Sequence, residues 1–135
     1  MSKLYQNYMS LKMQDSSQLY LFKSGIFFIF IDEDAKLVSS LLNLKLTNLN
    51  PVIVKCGFPV SHFEKYSKLL NEKNLSFKVI DSSNNTSFLP NEYILNSKIE
   101  KLLKEIASVN ANDLSISEAY DFIEKISNEC KTIFS

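Results

Sequence analysis

The chain has 135 residues, 45% of them hydrophobic, with fifteen basic and fifteen acidic side chains and a single histidine. That length suits one domain able to bury a core without metal or disulfides. The zero formal charge rules out a global field drawing the protein onto nucleic acid or membrane. Charge is divided unevenly, because residues 1–82 carry ten lysines against seven acids and residues 83–135 carry five against eight. An anion-binding surface therefore belongs to the first part. All fifteen basic residues are lysine and thirteen asparagines accompany them, which reads as A/T-rich coding. No leader-like segment opens the chain, and no apolar run approaches the roughly 20 residues that span a bilayer. A cytoplasmic protein with free thiols at Cys56 and Cys130, and without membrane contact, is expected.

In chain order, Leu4, Tyr8, Leu11 and Met13 predict a helix over residues 3–14. The segments LYLFK and IFFIFI flank Ser24 and Gly25, which predicts a hairpin with those two residues as its turn. The acids Asp32, Glu33 and Asp34 suit a helix N-terminus, and Ala35, Val38, Leu41 and Leu42 supply that helix's buried stripe. NPVIVKCG predicts a strand ending at Gly57. Ser61 and Glu64 then form a capping box for a helix with Phe63, Tyr66, Leu69 and Leu70 on its apolar face. LSFKVI predicts another strand.

Residues 82–91, SSNNTSFLPN, resemble a linker, and only helical pattern follows. Two further capping boxes, Ser97 with Glu100 and Ser115 with Glu118, start helices with separate apolar faces. One face is Ile99, Leu102, Leu103 and Ile106; the other is Ala119, Phe122, Ile123, Ile126, Cys130 and Ile133. The expected fold is α/β, a small mixed β-sheet packed by helices, with a C-terminal α-helical hairpin. The expected divisions are an α/β domain over residues 1–82, a linker or short strand over 83–95 and the hairpin over 96–135.

Catalytic signatures are sparse. With Gly25 and Gly57 as the only glycines, no G-x-x-x-x-G-K-[ST] phosphate loop can be written. His62 has no cysteine or carboxylate at ligand spacing, the acids at 32–34 read as helix capping rather than a Mg²⁺ site, and both cysteines read as core. No enzyme, metal or cofactor is implied.

Two blocks of residues point further. Tyr8, Leu11, Lys12 and Gln14 fit Y-x-x-L-K-x-Q, while Phe22, Gly25, Phe27, Asp34 and Ala35 fit F-x-x-G-D-F-Y-E-L-F-x-x-D-A without an inserted residue. Leu46 and Thr47 fit a following L-T, and Cys56, Gly57, Phe58 and Pro59 fit C-G-V-P or A-G-F-P, with Glu64, Tyr66 and Leu70 in step. In these residues, from Leu4 to Asp81, the chain resembles the N-terminal mismatch-recognition domain of the DNA mismatch repair protein MutS.

That resemblance implies a small α/β domain that meets double-stranded DNA at a mispair or distortion from the minor-groove side, without ATPase machinery of its own. Phe27 takes the place of a phenylalanine that wedges against the mispaired base, with Lys23, Lys45 and Lys55 near phosphates. Gly25, Cys56, Gly57 and Pro59 are structural members of the motif. Ile29 stands where the family has a glutamate that hydrogen-bonds to the base, and Asn48 and Leu49 replace a basic pair. Fewer polar and phosphate contacts, and weak binding, follow. Two readings stay open: a DNA-binding module working through Phe27, or a protein-interaction module that keeps the fold and captures a partner or its own copy through the helical tail. In the second, Phe27 is buried with the rest of its strand.

Overall fold

The computed structural model describes residues 2–81 and 86–133. The chain separates into two compact units, Met1–Pro90 and Asn91–Ser135. The first is a six-stranded mixed sheet with helices. Its elements are α1 (Lys3–Gln14), β1 (Leu19–Ser24), β2 (Phe27–Ile31), α2 (Asp32–Leu42), β3 (Thr47–Asn48), β4 (Val54–Pro59), α3 (Phe63–Glu72), β5 (Phe77–Asp81) and β6 (Thr86–Phe88). Strand order is β3-β4-β2-β1-β5-β6, and every pairing is antiparallel except β1 with β5. The α/β class read from the sequence is what the chain adopts.

Alternation along the strands sorts the core into two sides. On one, Tyr8 of α1 lies in a cluster with Tyr20, Phe22, Ile29, Ile31 and Ile80, edged by Leu4, Tyr5, Leu11 and Leu49. On the other, Phe28 packs against Phe58 and Phe63 with ring centroids 5.8 and 5.0 Å apart, and Phe63 meets Phe77 edge-on at 6.3 Å. Phe22, Phe28 and Phe30 lose all contact with solvent, and burying each stabilises the fold by about 1.5–3 kcal/mol.

A partly buried ion pair ties α1 to the start of α2. Lys12 Nζ donates to Asp34 Oδ1 at 3.0 Å, and the backbone N–H of Tyr20 donates to Asp34 Oδ2 at 3.0 Å. Asp34 is 2% exposed, and the Lys12 and Tyr20 donors offset only part of the desolvation of its charge. Of the three acids expected to cap α2, Asp34 therefore works inward. Asp32 at φ 54° opens the helix, and Ile31 before it makes no side-chain cap.

Other local expectations are corrected. The hairpin turn is Gly25 and Ile26, not Ser24 and Gly25, because Ser24 pairs with Phe27 and the residue with φ +60° is the first of the turn. A glycine with positive φ followed by a residue with negative φ is the II′ pattern, which matches strand twist. Leu41 is exposed because it lies about 120° around the helix from Ala35, at roughly 100° per residue. β4 does not stop at Gly57, since Phe58 and Pro59 remain paired with Phe28 and Phe27. A 3₁₀ turn at Val60–His62 intervenes before α3, so the Ser61–Glu64 capping box does not form and His62 precedes the helix without a side-chain cap. Within 82–91, residues 82–85 lie outside those described, and 86–88 pair with β5 as a short strand, the alternative to a linker that the sequence left open.

The second unit holds most of α4 (Pro90–Ala107) and all of α5 (Ile116–Ile133). α4 starts at Pro90, a residue suited to the first helical position, so Ser97 is mid-helix and its capping box with Glu100 is not formed. The Ser115–Glu118 box is formed: Glu118 N donates to Ser115 Oγ at 3.1 Å, and Ser115 N to Glu118 Oε1 at 3.3 Å. The two apolar faces are only partly covered. Leu102 is buried, whereas Leu103, Ile106 and Ile123 are exposed, because each helix carries more apolar residues than one stripe can hide.

Candidate functional site

The end of the β1–β2 hairpin is one of the places where the sheet unit leaves apolar side chains exposed. Along β2, Phe28, Ile29, Phe30 and Ile31 are at most 9% exposed, and Phe27 is 47% exposed. Its pairing explains this, since Phe27 opposes Ser24 on one side and Pro59 on the other, two short side chains beyond the reach of the Tyr8 cluster. The preceding turn residue, Ile26, is 75% exposed. The tip is held from two directions: Gly25 sets the turn, and Val60 N–H donates to the Ile26 carbonyl at 2.8 Å.

Ile29 lies on the same sheet face as Phe27 but belongs to the core cluster. It opposes Gly57, where an added Cβ would collide with the Phe28 carbonyl oxygen and lie 3.0 Å from Ile29 Cγ2. Only glycine admits that approach without a shift of backbone. Gly25, by contrast, has open space around it and is required for its φ alone. Of the other motif members, Pro59 caps the ladder beside Phe27, and Cys56 is buried with its Sγ 3.5 Å from the Ala35 carbonyl. Burial pushes the Cys56 thiol up to about 11, so it stays protonated near neutrality and is a core group rather than a nucleophile.

The lysines are not gathered around Phe27. Lys23 pairs with Phe28 and Asp81, which places it on the opposite sheet face. Lys55 shares Phe27's face but pairs with Ile31, four residues from Pro59, or about 13 Å along the strand at roughly 3.3 Å per residue. Lys45 is exposed between α2 and β3. His62 is exposed in the 3₁₀ turn, and among the described residues no three His, Cys, Asp or Glu side chains converge as metal ligands. No helix among them is long and apolar enough to cross a membrane.

Two features escaped the sequence. Lys12 and Asp34 are 22 residues apart, a separation no local spacing rule covers. Ile26 read as strand because the turn was placed one residue early; glycine's preference for the first position of a II′ turn was the available signal.

The sheet unit is a small α/β domain that presents an apolar hairpin tip. The model of MutS domain I matches residues 2–109, four fifths of the chain, and the chain belongs to that family. Among curated relatives, the DNA mismatch repair protein MutS of Rickettsia prowazekii (strain Madrid E) is 33% identical over 84 residues, covering 59% of this chain and 9% of the relative. That of Rickettsia felis is 33% identical over the same length, covering 59% and 10%, and that of Rickettsia bellii (strain OSU 85-389) is 32% identical. The chain thus spans about a tenth of the length of the curated relatives it matches.

Proposed function

We propose that the protein is a mismatch-repair-related DNA-binding module, acting in the cytoplasm on mispaired or distorted duplex through the hairpin tip, weakly and without ATPase activity. The observation that carries this reading is the exposure of Phe27 in a strand whose other residues are buried. A solvent-facing aromatic on a rigid turn can lean into a base step from the minor groove, at a cost of a few kcal/mol of unstacking, and a mispaired step opens more cheaply than a paired one. Ile29 contributes no hydrogen bond to a base, because it is apolar and packed in the core. Lys23, Lys45 and Lys55, spread over the unit, serve as scattered phosphate contacts rather than a clamp, and affinity is low accordingly. In this reading residues 1–82 form the recognition domain, 83–95 the connection and 96–135 an appended helical hairpin.

Affinity for a 20–30 base-pair duplex with one central mispair, compared with its perfect counterpart at low and moderate salt, tests the proposal. The mispaired duplex is expected to bind more tightly, with the preference lost in Phe27→Ala while the variant stays folded. Equal binding to both duplexes at low salt would refute it.

A second reading is favoured by the exposed side chains Leu103, Ile116, Tyr120 and Ile123 of the helical unit. Here the chain is an interaction module that captures a protein or its own copy through α4 and α5. Dimerisation or partner capture that disappears on removing residues 96–135 would support it, and a monomer unchanged by truncation would count against it.

A further inference from the structure

The turn presents two adjacent apolar side chains, where turns ordinarily carry Gly, Asn, Asp or Ser. Ile26 is 75% and Phe27 is 47% exposed. Gly25 at φ +60°, the Ser24–Phe27 pairing and the Val60 N–H bond to the Ile26 carbonyl together fix the backbone beneath them. The result is an apolar prow at the hairpin tip, suited to insertion into a narrow slot. Behind it, on the same face, stands Ile29 against Gly57, with no polar group to offer a base edge. The unit bearing the prow holds ten lysines against seven acids. A cationic body with an apolar prow suits a polyanion whose interior is a stack of separable apolar plates.

Resting on the proposed DNA-facing role of the tip, we infer that Ile26 and Phe27 act together as a two-residue wedge selecting unpaired bases by their poor stacking. They do not read mispairs by their hydrogen-bonding edges. The preferred substrate is a duplex with an extrahelical or unopposed base, where the cost of opening the step is already met. A G·T wobble, which stays stacked and keeps two hydrogen bonds, is then treated much like a perfect pair. A device relying on a polar contact to a base would rank substrates by base identity; this one ranks them by how easily the step opens.

Binding is measured for four duplexes of one sequence context: perfect, G·T, A·C and a single-base bulge, with vesicles of anionic lipid as a further arm. Wild type is expected to favour the bulge over the perfect duplex by ~10-fold and the G·T duplex over the perfect one by less than ~2-fold. Ile26→Ser is expected to cut the bulge preference to ~3-fold with unchanged thermal unfolding, and the double variant with Phe27→Ala to abolish it. A G·T preference equal to that for the bulge, or an Ile26→Ser variant identical to wild type, overturns the two-residue wedge while leaving mispair binding through Phe27 standing. Equal binding to all four duplexes overturns both readings. Ile26-dependent capture of anionic vesicles without a bulge preference overturns the wedge in favour of a lipid surface.

Discussion

Of the twenty buried apolar residues described, nineteen lie in the unit Met1–Pro90 and one, Leu102, in the unit Asn91–Ser135. In the first unit, strands alternate side chains into two packed faces, and turns are held by specific residues such as Gly25. The second relies on helix capping at Ser115 and on ion pairs of Lys125 with Glu105 at 3.4 Å and Glu129 at 3.9 Å. Exposed pairs of that kind contribute at most about 1 kcal/mol each. The contrast teaches that shape in this chain is stored in the sheet. A tip can be left apolar and exposed there because the backbone under it is overdetermined. Exposed apolar residues on the helices have no comparable frame.

The contrast breaks most visibly by opening the sheet's core. Phe22→Ala is expected to destabilise the protein by about 3–5 kcal/mol, since the ring is wholly buried between α1 and the sheet. Chemical denaturation measures this, and a loss below about 1 kcal/mol would mean the first unit is no better packed than the second.

Next in size is the buried charge. Lys12→Met leaves Asp34 without its cation and is expected to cost about 2–3 kcal/mol, less than for a wholly buried pair because Lys12 stays partly in water. Burial, outweighing the Lys12 and Tyr20 donors, holds the Asp34 carboxyl above the ordinary aspartate range. The folded state therefore binds that proton more tightly than the unfolded chain. This group's contribution is fully present below the unfolded-state pKa and is lost as pH rises through the folded value. Relative to Asp34→Asn, wild type should gain stability as pH falls from about 7 towards 4; the opposite trend would show Lys12 to be the dominant influence.

Smaller again is Gly57→Ala, expected to cost about 1–3 kcal/mol through collision with the Phe28 carbonyl. Because Ile29 must shift with it, the variant also tests whether the tip is held by the ladder behind it. Smallest is Ile123→Ser in the helical unit, expected to change stability by no more than about 0.5 kcal/mol; a larger loss would show that this side chain is covered after all.

Much of the first unit was legible because strand and helix periods are local signals. α1 begins and ends where Leu4, Tyr8 and Leu11 predicted, and Ala35 and Val38 face inward as expected. The misses lie where a non-local partner decides. Pro59 looks like a strand breaker until Phe27 is set beside it, and Asp34 looks like a cap until Lys12 reaches it from another helix. Ser61 and Ser97 match a capping spacing, but a 3₁₀ turn and the earlier start at Pro90 take their place. At the candidate site, the family motif singled out Phe27 and Ile29, yet no pattern indicated that one is exposed and the other buried. That division arises from what covers each end of β2.

The central claim is that Phe27 enters the base stack, and fluorescence of 2-aminopurine placed beside an unpaired base reports it most directly. On binding the wild-type protein, the probe is expected to brighten as its step opens, and to stay dim with Phe27→Ala at concentrations where that variant is bound. Binding that leaves the probe as dim with wild type as with the variant would contradict the account.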